Sequence, residues 1–256
     1  MDMVQEKVSF TNAFGCELAG RLDIPDDTKP LGCVLFAHCF TGSKDVLAAV
    51  RISKALWLQG FSVFRFDFTG LGESEGDFAN TNFSSNIDDL LAAAAFLRDN
   101  HQPPTVMIGH SLGGAAVLAS AAKIPEVHAI CTIGAPADPK HVVHHFSSVT
   151  DEIETEGEAE VAIGGRPFRI KRTFLEDIKA YNLGESIGAM RKALLVFHSP
   201  VDDIVGIENA GHIYEAARHP KNFVCLDGAD HMLTNRADAY YVAEIICAWA
   251  NRYSKT

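Results

Sequence analysis

The sequence is poor in basic residues and lacks any long apolar run. Its 33 acidic residues against 22 Lys and Arg give a formal net charge of -11. Phosphate groups bind to basic surfaces, so this balance argues against nucleic-acid or anionic-membrane partners. No apolar stretch approaches the roughly 18 to 20 residues of a membrane-spanning helix, and residues 1–10 do not resemble a secretion signal. We therefore expect a soluble, cytoplasmic protein with neither kind of partner.

Paired cysteines are also missing. The six cysteines are scattered, without a Cys-x-x-Cys pair, so the sequence predicts neither a disulfide framework nor a cysteine metal site. We expect most of them to be reduced thiols in the core. His141, His144 and His145 fall at positions i, i+3 and i+4 of a possible helix. Because no carboxylate lies at ligand spacing, we interpret them as a surface cluster, with a metal site as the alternative.

Apolar runs of strand length alternate with longer segments of helical periodicity, which is typical of βαβ units around a mostly parallel sheet. The length suits one α/β domain over residues 1–256, with helices on both faces of the sheet. An opening hairpin is predicted at 8–12 and 16–22, followed by a turn at 24–27. Further strands are predicted at 32–38, 62–67, 106–109, 127–133, 193–198 and 222–226, and helices at 46–58, 86–98, 113–122, 208–217 and 237–251.

One interval between predicted strands is far longer than a single crossover helix requires. We interpret residues 137–189 as a cap or lid inserted over the strand ends, with a plain surface elaboration as the alternative. Inside it, residues 159–163 and 168–171 flank a Gly-Gly-Arg-Pro turn and predict a small hairpin, and residues 174–180 predict a short helix. Residues 151–160 carry six acids and no base, which indicates a solvated edge and argues weakly against anionic substrates.

The clearest chemical motif is Gly-His-Ser-Leu-Gly at residues 109–113, where a predicted strand ends and a helix begins. A serine in so tight a turn is strained by roughly 1 to 3 kcal/mol, and the flanking glycines avoid clashes with the neighbouring strand and helix. The serine hydroxyl then projects from the carboxyl edge of the sheet, at the positive end of the helix. The motif predicts that Ser111 is a catalytic nucleophile. A glycine-rich helix start packed closely on the sheet is the alternative.

A nucleophilic serine needs a histidine base and an acid that orients it. His231 follows the last predicted strand and is the best placed of the eleven histidines, the alternative being a loop histidine that caps the final helix. Asp202 and Asp203 both follow the preceding strand, and we prefer Asp202 as the acid. The order Ser, Asp, His is the one expected for an α/β-hydrolase sheet.

The oxyanion of a tetrahedral intermediate requires two backbone N–H donors. We expect them to be the amides of Leu112, next to the nucleophile, and of Phe40, in the loop after the strand at 32–38. The Phe40 ring and His110 are the expected substrate contacts. His38 is interpreted as a hydrogen-bonding brace of the loop rather than as a second base.

With these residues in place, the chain resembles the α/β-hydrolase superfamily over essentially its whole length. Residues 67–74, Asp-Phe-Thr-Gly-Leu-Gly-Glu-Ser, are similar to the family's D-x-x-G-x-G-x-S loop, which usually braces the site. The chain resembles the small-capped, serine-aminopeptidase-like hydrolases that include bacterial cinnamoyl and feruloyl esterases. It is also similar to the hydrolase module that precedes OsmC-like domains in some bacterial fusion proteins. Cys39 and Ser199 depart from the family pattern, since glycine is common at both positions.

The predicted function is that of a serine hydrolase that cleaves carboxylic esters through an acyl-enzyme. The small cap favours short to medium acyl or aryl groups, and the resemblance adds hydroxycinnamoyl esters. The alternatives are an aminopeptidase or amidase, a haloperoxidase-like perhydrolase, and a non-catalytic ligand-binding protein on the same scaffold. The glycine spacings fit neither a dinucleotide site nor a P-loop, so no cofactor is expected, and the expected partner is a small ester. The oligomeric state stays open, with a homodimer among the options, as does membership of a longer fusion protein.

Overall fold

The computed structural model describes residues 3–25 and 29–253. The strands are β1 Met3–Thr11, β2 Glu17–Pro25, β3 Cys33–Ala37, β4 Ser62–Phe66, β5 Val106–His110, β6 Ala129–Ile133, β7 Glu158–Ile163, β8 Arg166–Lys171, β9 Ala193–His198 and β10 Lys221–Cys225. The α-helices are α1 Leu47–Leu58, α2 Phe83–Asn100, α3 Leu112–Ser120, α4 Thr150–Glu156, α5 Arg172–Ala180, α6 Leu183–Met190, α7 Glu208–Ala216 and α8 Arg236–Ala250. Short 3-10 segments lie at Phe78–Asn80, Ala121–Lys123 and Pro139–Val149.

Eight strands form one mixed sheet in the order β1-β2-β4-β3-β5-β6-β9-β10. β2 is antiparallel to both β1 and β4, and all neighbours from β4 to β10 are parallel. The five strands β3, β4, β5, β6 and β9 are buried at every residue, as continuous apolar runs covered on both faces should be. The predicted, mostly parallel α/β sheet is confirmed.

The two faces of the sheet carry separate apolar cores, because successive strand residues point to opposite sides. Leu35 belongs to one core, whereas its neighbours Val34 and Phe36 belong to the other. Helices α1 and α8 cover the second core, and α2, α3, α5, α6 and α7 cover the first. The first core also takes in Phe146 and Phe174, so the segment between β6 and β9 is packed onto the sheet domain.

Between β6 and β9, the strands β7 and β8 form a separate two-stranded antiparallel sheet. Gly164 and Gly165 alone make its turn, with φ of 58° and 75°. Positive φ at both central residues matches the twist of a two-residue hairpin. Arg166 and Pro167, which the sequence placed in the turn, therefore belong to β8. The division of the chain into one domain with a cap at 137–189 stays a prediction.

Some boundaries differ from the predicted ones for local reasons. Helix α2 begins at Phe83, three residues before the predicted start, because Asn82 and Ser85 form a reciprocal capping box. The helices α4 and α6 have no predicted counterpart, and the possible helix that carries His141, His144 and His145 is the 3-10 segment Pro139–Val149. In the turn predicted at 24–27, residues 26 and 27 lie outside the described residues. Among the described helices, none has the length and apolar character needed to cross a membrane.

Candidate active site

Ser111 lies in the turn between β5 and α3 with φ 55° and ψ -128°, a conformation that L residues rarely adopt. Its backbone N–H donates to the carbonyl of Ile133 at 2.9 Å. Its own carbonyl accepts from the amide of Gly114 at 2.8 Å. The adjacent strand and the first turn of the helix therefore hold the strained serine in place.

Glycine is required on either side of Ser111 by close backbone contacts. A Cβ atom on Gly109 would lie 2.4 Å from the carbonyl oxygen of Gly113. A Cβ atom on Gly113 would lie 2.3 Å from the carbonyl oxygen of His38. The start of α3 thus sits directly against the end of β3, which places the amide of Leu112 beside the loop that follows β3.

His231, in the loop between β10 and α8, forms a hydrogen bond through Nδ1 to Oδ2 of Asp202 at 2.8 Å. Because a carboxylate only accepts, Nδ1 carries the proton and Nε2 is left to act as a base. Oδ1 of Asp202 accepts from the amides of Ile204 and Val205, at 3.0 and 2.9 Å. Burial raises the pKa of Asp202, but the hydrogen bond from His231 and these two amides outweigh it and lower the pKa overall.

The end of β6 brings the acid, the base and the serine together. A Cβ atom on Gly134, at φ 54°, would lie 3.2 Å from both Oδ2 of Asp202 and Nδ1 of His231. Its neighbour Ile133 accepts the hydrogen bond from the amide of Ser111. The histidine–aspartate pair and the Ser111 turn therefore both lie against the end of β6, and Ser111 and His231 line the same cavity. Asp203 is exposed, and it is Asp202 that contacts the histidine.

His110 does not lie where a substrate-contacting residue should. Its side chain is 1% exposed and is absent from the wall of the cavity that Ser111 and His231 line. Its Nε2 donates instead to the backbone carbonyl of His231 at 2.8 Å. Burial lowers the pKa of His110 to about 4. The side chain therefore leaves the turn toward the interior and contacts the loop that carries His231, and the expected contact of His110 with substrate stays a prediction.

The loop between β3 and α1 holds the second expected oxyanion donor. Phe40 and Leu112 line the same small cavity, and within the described part of the chain neither backbone N–H makes a hydrogen bond. His38 contacts the carbonyl of Cys39 through Nδ1 at 2.8 Å and accepts the Phe68 amide at Nε2. Since Nε2 accepts, Nδ1 is the protonated nitrogen and the ring is neutral. Burial lowers the pKa of His38 to about 4, which agrees with that state.

A buried ion pair under this loop was not predicted from the sequence. Asp67 is fully buried and accepts from the backbone N–H and the Nζ of Lys44, both at 2.6 Å, and from the amide of Glu73 at 2.9 Å. Nζ of Lys44 also donates to the carboxylate of Glu73 at 2.6 Å. Removing one partner of such a pair leaves a buried charge uncompensated. The sequence feature that could have indicated this ion pair is Asp67, the first residue of the 67–74 motif.

Ser111 and His231 line one cavity of about 340 Å³, which is within the size range of small-molecule sites. Its wall is mostly apolar and includes Phe40, whose ring contacts those of Phe78 and Phe174 at centroid distances of 5.7 Å. Arg166, at the start of β8, also lines it. Cys39 contributes a buried thiol whose pKa burial raises to about 11, so it is not a thiolate at neutral pH.

The three-histidine cluster divides between two roles. The rings of His141 and His144 lie 4.8 Å apart, and Nε2 of His141 donates to the carbonyl of Ile204. His145 lines the cavity, with its ring 6.3 Å from that of Phe40. In the described ranges, no group of three or more His, Cys, Asp or Glu side chains is arranged to hold a metal ion.

Comparison with known proteins identifies the family. The model of the serine aminopeptidase S33 family matches residues 28–156, which include the nucleophile turn and the oxyanion loop. The chain is also 51% identical to the esterase domain of a Rhodothermus marinus protein, covering 99% of this chain and 100% of that one, with a TM-score of 0.80. The chain belongs to the serine aminopeptidase S33 family of α/β-hydrolases.

More distant relatives share the fold of this hydrolase. It is 25% identical over 214 residues to the mouse mitochondrial palmitoyl-protein thioesterase ABHD10. The alignment covers 81% of this chain and 71% of that protein. The structure of Est1E of Butyrivibrio proteoclasticus with bound ferulic acid is 19% identical in sequence, with a TM-score of 0.79. The match covers 96% of this chain and 98% of the Est1E chain. The predicted α/β-hydrolase fold is confirmed, whereas the resemblance to hydrolase modules that precede OsmC-like domains stays a prediction.

Proposed function

We propose that this hydrolase is a serine esterase that cleaves carboxylic esters of short to medium acyl or aryl groups through an acyl-enzyme. The observation that carries the proposal is the Asp202–His231 hydrogen bond at the wall of the cavity that Ser111 also lines. A ligand-binding protein on this scaffold would have no use for a strained serine at φ 55° beside an oriented imidazole. The arrangement favours catalysis over simple binding.

In the proposed reaction, Nε2 of His231 takes the proton of Ser111 as the hydroxyl oxygen attacks the ester carbonyl. The carbonyl oxygen gains the negative charge and accepts hydrogen bonds from the amides of Phe40 and Leu112. Collapse breaks the bond to the alcohol, which leaves with the proton from Nε2. Water then attacks the acyl-enzyme by the same route, and Asp202 keeps the proton on Nδ1 throughout.

The lining of the cavity favours esters over peptides with a free amino terminus. An aminopeptidase needs a carboxylate that anchors the substrate's ammonium group. Among the described residues that line the cavity there is no Asp or Glu, and Asp202 faces His231 rather than the cavity. The charged residue that is present, Arg166, would repel an ammonium group.

The relatives agree with acyl-ester chemistry but span several substrates. The Rhodothermus marinus neighbour is described as an esterase domain, the mouse relative as a palmitoyl-protein thioesterase, and Est1E holds ferulic acid. The cavity of about 340 Å³ favours the smaller of these acyl groups, including hydroxycinnamoyl. A small ester as partner, the cytoplasmic location and the absence of nucleic-acid and membrane partners stay predictions, and the oligomeric state stays open.

The test is the hydrolysis of p-nitrophenyl butyrate by the wild type and by Ser111→Ala, with Ser9→Ala, on the exposed face of β1, as control. Loss of a triad serine costs up to about a millionfold in kcat. We expect Ser111→Ala to be inactive and Ser9→Ala to match the wild type. Residual activity of Ser111→Ala within about tenfold of the wild type would contradict the proposal that Ser111 is the nucleophile. Faster turnover of leucine p-nitroanilide than of the ester would favour the aminopeptidase alternative.

A further inference from the structure

Arg166 connects the β7–β8 hairpin to the candidate active site. It is the first residue of β8, directly after the Gly164-Gly165 turn, and its Nη2 donates to the backbone carbonyl of Thr41 in the oxyanion loop. It also lines the cavity that contains Ser111 and His231. The tip of the hairpin therefore brings Arg166 to the wall of the cavity that Ser111 and His231 line.

Within the described part of the chain, Arg166 forms no ion pair with an acidic side chain. Among the described residues that line the cavity, it is the only one of the types Asp, Glu, Lys and Arg. None of the ion pairs found in the described ranges involves it, although the chain carries 33 acids. On the same strand, Arg169 pairs with Glu158 at 2.9 Å. The six acids of residues 151–160 lie on α4 and β7, and none of them lines the cavity.

The guanidinium group contacts Thr41 and Phe168, and the described residues supply one acceptor for its five N–H donors. Its carbon lies 5.2 Å from the centroid of the Phe168 ring, which is within cation–π distance. An arginine has five N–H donors in a planar fork, and the Thr41 carbonyl accepts from Nη2 alone. The remaining donors match the two oxygens of a carboxylate, which is the planar anion that this fork binds in bidentate fashion.

We propose that Arg166 binds a free carboxylate of the substrate, so that this hydrolase prefers esters bearing a second, ionised carboxyl group remote from the scissile bond. Half-esters of dicarboxylic acids and carboxyaryl esters belong to this class. The inference rests on the proposed esterase function and specifies its substrate. It replaces the weak expectation against anionic substrates, because the acidic segment lies outside the cavity and the arginine lies inside it.

The experiment compares matched substrates that differ by one carboxylate. On the acyl side these are mono-p-nitrophenyl adipate and p-nitrophenyl hexanoate, and on the alcohol side 4-acetoxybenzoate and its methyl ester. Each pair is assayed with the wild type, Arg166→Met, Arg166→Lys and the control Arg169→Met, which removes a charge from the same strand outside the cavity. The readout is the ratio of kcat/KM for the anionic ester to that for the neutral one.

For at least one pair, we expect Arg166→Met to lower this ratio by at least tenfold, Arg166→Lys to lower it less, and Arg169→Met to leave it unchanged. Added NaCl at 0.5 M should lower the wild-type ratio, because salt screens a partly exposed charge pair; this readout needs no variant. If neither Arg166→Met nor salt changes the ratio in either pair, and the neutral esters are still cleaved, the proposed role of Arg166 is overturned. The esterase proposal is not affected by that result. Failure of the wild type to cleave any of the four esters contradicts both.

Loss of the Thr41 contact also loosens the hairpin, and the ratio separates this effect from binding. A purely structural role for Arg166 would lower kcat/KM for the anionic and neutral esters alike and would leave their ratio unchanged. Such a result contradicts the inference. If Arg166 binds the carboxylate, Arg166→Met lowers kcat/KM for the anionic ester selectively.

Discussion

The imidazole of His110 holds the main chain of His231 through a hydrogen bond of 2.8 Å from Nε2 to the backbone carbonyl. The residue before Ser111 therefore positions the loop that carries His231. Nδ1 of His110 is buried and has no hydrogen-bond partner among the described residues, so this one bond is its polar contact with the protein.

We expect His110→Ala to lower kcat by on the order of 100-fold with little change in KM, because a displacement of about 1 Å in a catalytic group has an effect of that size. Steady-state kinetics with p-nitrophenyl butyrate measure it. His212→Ala, at an exposed position of α7, is the control and should behave as the wild type. A rise in KM at constant kcat would instead restore the original prediction that His110 contacts the substrate.

Asp202 and Asp203 provide a second test, because adjacent carboxylates differ in their contacts. Asp202→Asn should lower kcat by roughly 10⁴-fold, the effect of the corresponding change in the serine protease triad, by favouring the wrong tautomer of His231. Asp203→Asn removes an exposed charge and should leave kcat within about twofold. Equal losses in the two variants would contradict the assignment of Asp202 as the orienting acid.

Gly134 offers a test of the space around the histidine–aspartate pair. Gly134→Ala places a methyl group 3.2 Å from both Oδ2 of Asp202 and Nδ1 of His231 and should lower kcat more than tenfold. Gly15→Ala, at φ 80° with nothing near its Cβ, carries a similar backbone strain without the contact. Both variants should lose about 1 kcal/mol of unfolding free energy, measured by urea titration. Equal esterase activity in the two would show that Gly134 is required for its backbone alone.

The stability of the protein should fall in mild acid. Burial lowers the pKa of His38 and of His110 to about 4, whereas an unfolded histidine titrates near 6.5. Between these values the unfolded chain binds more protons, so the stabilisation present above pH 6.5 is lost as the pH falls toward 4. At pH 5 each of the two rings should lower the free energy of unfolding by about 2 kcal/mol relative to neutral pH. Urea unfolding at pH 7.5 and 5.0 measures this loss.

The control for the acid effect is His38→Gln, which should show a smaller loss between the two pH values than the wild type. His212→Gln, whose ring is exposed, should show the wild-type loss. A wild-type free energy of unfolding that is the same at both pH values would mean that the two buried rings are not held neutral.

The sheet could be predicted because its strands are continuous apolar runs between glycines and turns, and buried parallel strands have that pattern. The structure of the segment between β6 and β9 was harder to predict from the sequence. The 3-10 segment Pro139–Val149 has non-helical backbone angles at Phe146, and the helix α6 is eight residues long, so neither gives a long helical pattern. Both contribute buried residues to the core that contains Phe146 and Phe174. Within that region, the glycine pair marked the hairpin, and the helix predicted at 174–180 lies within α5.

Within the site, the motif around Ser111 predicts local backbone geometry, and the order of Ser111, Asp202 and His231 along the chain follows from the sheet. The contacts of His110, Lys44 and Arg166 could not be predicted in the same way. Each depends on a partner remote in sequence, namely the carbonyl of His231, the carboxylate of Asp67 and the carbonyl of Thr41. Such contacts become visible only when the loops are placed in space.

The most direct measurement is the site of covalent labelling by a fluorophosphonate probe, read by mass spectrometry of the digested protein. The probe phosphonylates a serine that an adjacent base activates, forming the O–P bond as the P–F bond breaks and fluoride leaves. We predict one adduct, on the peptide that contains Ser111, and no labelling of Ser111→Ala or after unfolding in urea. An unlabelled wild-type protein, or an adduct on a different residue, would contradict Ser111 as the activated nucleophile.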